Sequence, residues 1–156
     1  YSVVPQTVDF LVDNFTLSWN VKSLETGSHC AIIIRNIALS PSGTLVGTRT
    51  AEVFYFRDEG NNSISIDFSP AGISDGSWHH VVCVRDGNDV LTYVDGEFFE
   101  KNSKPTLTHC YLGDLGMGRD NGHGGRYYWK GLLDNIILVN RALSPEEIKK
   151  YFSIFS

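Results

Sequence analysis

Cysteine is scarce. Cys30, Cys83 and Cys110 are all that 156 residues contain, which permits at most one internal disulfide and excludes a disulfide-framework scaffold. Cys83, inside the run VVCV, reads as a small core hydrophobe rather than a reactive thiol. Positive charge is short as well: 13 Lys+Arg against 18 Asp+Glu leave a net charge of −5. No basic stripe is present to neutralise phosphates, so nucleic acid is excluded as a partner. Long apolar runs are missing; stretches such as Cys30 to Ile34 fall far below the roughly 20 residues of a spanning helix, which excludes insertion into a membrane by that route. No signal-like run opens the chain, and the segment is expected to be one part of a longer protein that contributes other domains. The five prolines are scattered, and neither repeats nor a linker-like stretch divides the chain. A single domain over residues 1–156 is expected.

What remains is 42% hydrophobic and 12% aromatic, ample for a core. Its organisation is strand after strand. Candidates lie at 7–12, 15–21, 30–36, 44–47, 52–56, 63–68, 78–85, 90–94, 97–100, 110–113 and 131–139, rich in Val, Ile, Phe, Tyr and Thr and divided by turn residues such as Ser-Pro-Ser-Gly at 40–43. That rhythm predicts an all-β antiparallel sandwich or barrel. In VLTYVDGEFFE, Asp95-Gly96 can take the positive φ angles of a type I′ turn between alternating strands. With the Asp86 to Asp89 turn before it, Trp78 to Glu100 reads as a three-stranded meander. One helix is expected, from Ser144 to Phe152: Ser144 supplies an N-cap hydroxyl, Pro145 the first helical position and Glu147 a capping-box carboxylate, followed by Ile148, Tyr151 and Phe152 at helical spacing.

Two runs carry a family resemblance. DGSWHHVVCVRDGNDVLTYVDGE at 75–97 and KGLLDNIILVNRALSPEEI at 130–148 resemble the laminin G-like branch of the concanavalin A-like lectin/glucanase superfamily. FTLSWNVK at 15–22 is similar more weakly, and together the runs span about 50 of the 156 residues. The resemblance implies a jelly-roll sandwich of two antiparallel sheets whose ligands meet rim loops or a concave face. Members bind sugars, bind proteins or cleave polysaccharides, so fold alone does not select the function.

Enzymatic patterns fail on geometry. A glycosidase needs two carboxylates flanking one bond; Asp95 falls in a turn, while Glu97 and Glu100 fall on opposite faces of a strand. Gly72 to Gly76 matches G-x-S-x-G but lacks the strand before and helix after a nucleophile elbow. His79 and His80, adjacent on a strand, point to opposite faces and cannot ligate one ion; packing and hydrogen bonding are expected of them. Trp19 and Trp78 lie within strand patterns and are expected in the core.

The stretch 113–131, GDLGMGRDNGHGGRYYWKG, holds seven glycines in 19 residues. Glycine lets a backbone turn sharply and approach a ligand. Arg119, Asp120, Asn121, His123 and Arg126 add directional polar groups, and Tyr127 and Tyr128 add flat faces, a mixture that suits sugar hydroxyls and C–H surfaces. The competing reading is a plain connection in which Tyr128 and Trp129 enter the core. A second polar loop with Arg57, Asp58 and Asn61 is expected on the same rim, with an ordinary solvated hairpin tip as its alternative. These features favour a non-catalytic carbohydrate-binding module or lectin domain of a secreted or cell-surface protein, with a glycan or polysaccharide as partner. The runner-up is an adhesion or protein-interaction module, and a polysaccharide hydrolase or lyase comes third.

Calcium is the remaining expectation. Asp134 stands where the resembling family commonly has an acidic residue near an edge ion, although Asn135 replaces the usual glutamate. Calcium takes six to eight oxygens, and the sequence does not identify the other donors. Otherwise Asp134 caps a turn or pairs with a cation such as Arg141.

Overall fold

The computed structural model describes residues 2–4, 10–25, 27, 31–36, 44–48, 52–112, 114–118 and 128–155. Two antiparallel sheets face each other. One runs in the order β1 (Ser2–Val4), β12 (Asp114–Met117), β4 (Ile32–Asn36), β5 (Thr44–Thr48), β6 (Val53–Arg57), β7 (Ser63–Asp67). The other runs β10 (Glu97–Ser103), β9 (Asp89–Val94), β8 (His79–Asp86), β3 (Phe15–Lys22), β13 (Leu132–Val139), and a ribbon of β2 (Phe10–Val12) and β11 (Cys110–Leu112) completes the described strands. Among the described residues one α-helix, α1 (Pro145–Phe155), follows the last strand.

Alternation explains which faces meet. In β6 and β7, Phe54, Phe56, Ile64 and Ile66 turn inward while Val53, Tyr55, Ser65 and Asp67 turn outward. From the other sheet Phe15, Leu17, Trp19, Val81 and Cys83 meet them, and Phe15 and Phe56 lie 6.0 Å apart by ring centroid. Each such fully buried side chain contributes roughly 1.5–3 kcal/mol. Cys83 is fully enclosed and burial pushes its thiol well above the ordinary value, as expected of a structural cysteine. Cys30 and the side chain of Cys110 lie outside what the structure describes.

The meander of β8, β9 and β10 forms as expected, with Asp95 and Gly96 at φ 52° and 79° in its turn. A side chain at position 96 would also strike Phe152, whose Cδ1 lies 2.9 Å from a built Cβ, so this glycine serves both turn and helix docking. The helix carries its capping box: Ser144 Oγ accepts from Glu147 N–H at 3.3 Å, and Glu147 Oε2 accepts from Ser144 N–H at 2.9 Å. It extends three residues beyond the expected end.

Two strands were not anticipated, β1 and β12. β12 occupies the first part of the glycine-rich stretch that the sequence presents as loop; Gly116 is buried opposite Ile33, and its missing side chain hides the strand pattern. Trp78 is a second correction. It is 46% exposed, because β8 begins only at His79 and the chain before it is still turning: Asp75 Oδ1 accepts from Ser77 N–H at 2.6 Å, and Gly76 sits at φ 86°.

A candidate cleft on the outer face of the five-stranded sheet

The outer face of β8 and β3 is divided. At one end Val82, Val84 and Tyr93 are covered by Leu143 and by Ile148 of α1. At the other end Asn20 of β3 pairs in register with His80 of β8 and with Asp134 of β13, and Asp134 there stays exposed. Phe152, near the end of α1, stacks on the His80 ring with centroids 5.9 Å apart and planes at 21°. The result is an open cleft of about 430 Å³. Asn20 and His80 line it, Phe152 and Trp78 flank it, and the carboxylates of Asp95 and Asp134 face it. A bulge in β13 between Asp134 and Ile137, with Asn135 at φ 48°, shapes the far wall.

Its polar groups fall into two sets. His79 is clamped: Nδ1 meets Asp95 Oδ2 at 2.8 Å and Nε2 meets Asp75 Oδ1 at 3.1 Å. Burial alone would lower its pKa, but the two carboxylates outweigh that and raise it. Asp95 Oδ1 also accepts from His80 N–H at 2.8 Å, so both of its oxygens are engaged. The histidine pair therefore engages in hydrogen bonding and packing as the sequence suggests, with both residues lining the one cleft.

The second set is unsatisfied. Asn20 Oδ1 and His80 Nδ1 are buried and have no hydrogen-bond partner among the described residues. His80 is only 5% exposed, and burial lowers its pKa, which keeps the ring neutral near pH 7. Its Nε2 lies 2.7 Å from Ser18 Oγ. When the serine hydroxyl donates there, Nδ1 carries the ring proton and becomes a donor beside the Asn20 acceptor. A buried polar group without a partner costs about 1–3 kcal/mol. Both residues line the cleft, and each keeps one unpartnered polar atom enclosed by the protein.

The second polar loop shows the opposite condition. Asp58 is 1% exposed; it accepts from Asn62 N–H at 2.7 Å, from Thr108 N–H at 2.6 Å and from Asn62 Nδ2 at 3.1 Å. Its carboxylate builds the loop. Asn61 is exposed at φ 62° in the turn, and Arg57 ends β6 half-buried. This loop lies at the Arg85 end of the sandwich, where the Arg85 guanidinium covers the Phe56 ring at 5.2 Å and Nη2 donates to Thr108 O at 2.6 Å. Gly118 and Trp129, which flank the undescribed part of the glycine-rich segment, meet the other end, the length of eight-residue β3 away, about 23 Å. There Gly118 N–H donates to Ala31 O and Trp129 N–H to Gly118 O, each at 2.8 Å.

Of the residues proposed in the glycine-rich segment, Arg119, Asp120, Asn121, His123, Arg126 and Tyr127 lie outside the described residues. Tyr128 is 53% exposed, whereas Trp129 packs against the core. Their return path is tied to the cleft's rim, since Ser23 Oγ donates to Lys130 O at 2.9 Å and Ser23 O accepts from Gly76 N–H at 2.9 Å, two residues before Trp78. Asp134 caps its own turn, Oδ1 accepting from Asn135 N–H at 2.8 Å, and Arg141 is taken by Glu147 through contacts of 2.9 and 2.7 Å. Among the described residues no group of three or more His, Cys, Asp or Glu side chains could hold a metal. Nor is any helix among the described residues long and apolar enough to cross a membrane.

The jelly-roll sandwich and its outer cleft define the class. A laminin G family model described as belonging to the concanavalin A-like lectin/glucanases superfamily matches residues 1–149, and the chain belongs to that family. No curated protein matches it in sequence. Among solved structures it is similar to the binding domain of botulinum neurotoxin serotype G, with a TM-score of 0.69 at 16% identity over 98% of this chain and 40% of that one. The serotype D ligand-binding domain in complex with N-acetylneuraminic acid gives 0.69 at 15% identity, covering 97% and 39%. Domain 4 of AbnA, an extracellular arabinanase of Geobacillus stearothermophilus, in complex with arabinotriose, gives 0.63 at 15% identity, covering 91% and 68%. The chain thus spans about 40% of the neurotoxin binding domains it matches.

Proposed function

We propose that this chain is a non-catalytic carbohydrate-binding domain, a module of a longer secreted or cell-surface protein, and that it holds sugar in the outer cleft beside Trp78. The observation that carries this reading is the open cleft itself, in which the half-exposed indole of Trp78 stands beside the polar residues Asn20, His79, Asp95, Asp134 and Asn135. A sugar offers C–H faces to an aromatic ring and hydroxyls that both donate and accept. The sugars held by two of the structural neighbours support the same ligand class, and the extracellular arabinanase supports the location. The absence of catalysis is supported by the state of the carboxylates: both Asp95 oxygens are bound to the fold, and one oxygen of Asp134 caps a turn. The glycine-rich segment, with Arg119 and Arg126, is proposed to extend the same rim.

Screening the chain against a glycan array, with Trp78→Ala alongside, tests the reading. Binding to a defined set of glycans, lost in the variant, is expected. Capture of a partner protein with no glycan retained would replace it with the adhesion reading, and cleavage of a polysaccharide would replace it with the enzyme.

A further inference from the structure

Resting on that reading, we infer that His79 is the positioning residue of the binding surface: as an imidazolium it fixes the turn that carries Trp78, so that glycan affinity follows the charge on its ring. One oxygen brackets the indole. Asp75 Oδ1 accepts from Ser77 N–H at 2.6 Å and meets His79 Nε2 at 3.1 Å, and the residues on both sides of Trp78 thus converge on it. The other side of the ring is held from the turn between β9 and β10. There Asp95 Oδ2 meets His79 Nδ1, Asp95 Oδ1 accepts from His80 N–H and Asp95 N–H donates to His80 O, each at 2.8 Å. Gly76 N–H, on Ser23 O at 2.9 Å, anchors the start of the Trp78 turn, and the His79 ring anchors its end.

A carboxylate only accepts hydrogen bonds, and a neutral imidazole carries a single N–H. Both ring contacts can be hydrogen bonds only when both nitrogens are protonated, so the geometry is that of the imidazolium. Burial disfavours the charge, the two carboxylates outweigh it, and the His79 pKa is raised from 6.5. When the ring loses its proton one contact must open. The Asp75 contact is the longer of the two, and its carboxylate is 54% exposed against 39% for Asp95. The Nε2 lone pair then faces Asp75 Oδ1, the bracket around Trp78 opens, and only a fraction of molecules present the indole in place. Apparent affinity falls by that fraction. Of the other groups near the ring, Val21 opposite it on β3 and Phe152 of α1 are uncharged, Asp134 lines the cleft from β13, and burial lowers the His80 pKa. His29 and His123 lie outside the described residues, and variants at Asp75 separate their titration from that of His79.

Two measurements test this on wild type, Asp75→Ala and Asp75→Asn, whose exposed position lets the variants fold, as a melting curve verifies. Proton–nitrogen NMR without sugar follows the Trp78 indole N–H and the His79 ring with pH, and calorimetry at pH 6 and pH 9 measures binding of arabino-, gluco- and galacto-oligosaccharides. In wild type the indole signal is expected to change with the His79 midpoint, and Kd to rise about fivefold from pH 6 to pH 9. By reciprocity, bound sugar should raise that midpoint. Asp75→Ala should bind weakly at both pH values. Asp75→Asn, whose oxygen still accepts from Ser77 and whose amide group donates to a neutral ring, should bind well at both. Equal wild-type affinity at the two pH values, or a pH dependence that survives in Asp75→Ala, would overturn the role of His79 while leaving a glycan-binding domain in place. Binding of none of the probes would overturn the glycan reading itself; an indole signal indifferent to the His79 titration would then overturn the positioning as well.

Discussion

The two ends of β8 treat polar side chains in opposite ways. At the Arg85 end, Asp58 is buried and fully used: it ties the 57–62 loop to Thr108, while Arg85 ties Thr108 back to the sheet. At the His79 end, half-buried Asn20 and buried His80 are register partners with one enclosed atom apiece unused. Both ends read as polar in sequence, and only the second leaves chemistry available to a ligand. Polarity and loop composition therefore locate surface, whereas an open cleft lined by an exposed indole and polar side chains locates a candidate site.

The largest expected effect comes from breaking the satisfied end. Asp58→Ala strands two backbone N–H donors, Asn62 and Thr108, and is expected to cost about 2 kcal/mol in a urea titration, with glycan binding retained by the folded fraction. At the open end the order reverses. Trp78→Ala is expected to weaken glycan binding at least about tenfold while shifting Tm by no more than about 2 °C, since the indole is only half enclosed. Asn20→Ala sharpens the contrast: the lost oxygen makes no bond, so the expected stability change stays below about 0.5 kcal/mol, and glycan affinity falls several-fold. A large loss of stability in Asn20→Ala would mean that its oxygen is already partnered.

Reading the open end depended on register. The hairpin in VLTYVDGEFFE was visible because Asp95-Gly96 and the flanking alternation are local, and the capping box at Ser144 and Glu147 was visible for the same reason. The Asn20–His80–Asp134 row was not visible, because it exists only once β3, β8 and β13 pair across separations of 60 and 114 residues. Trp78 was misread because the tryptophan preceding a strand looks like the strand's first core residue; the Asp75–Ser77 hydrogen bond that delays β8 leaves a signal only in the Asp-Gly-Ser spacing. β12 was hidden by Gly116 and Gly118.

Smaller effects follow from titration. The folded-state pKa of His79 is raised from 6.5 by its two carboxylates, so protonation favours the folded state. Its contribution is complete below about pH 6.5 and is lost as pH rises through the raised value. The Tm difference between wild type and His79→Gln should accordingly shrink between pH 6 and 9, and a difference that grows with pH would contradict the clamp. Glu147 behaves with the opposite sign. The Arg141 guanidinium and the Ser144 N–H hold its pKa at about 2 against an ordinary 4.5, so its contribution is present above pH 4.5 and lost as pH falls through 2. Glu147→Gln should lower Tm slightly at pH 7 and leave it unchanged near pH 2.

The central claim is that ligand chemistry resides at the His79 end and not at the Asp58 loop. Proton–nitrogen NMR of the labelled chain, titrated with a neutral oligosaccharide that binds it, tests this most directly. The account predicts that the largest shifts fall on the Trp78 indole N–H, the Asn20 side-chain amide and the His80 ring, with Asn61, Asn62 and Thr108 unmoved. Shifts concentrated on residues 57–62 and 106–108, with Trp78 and Asn20 silent, would contradict it.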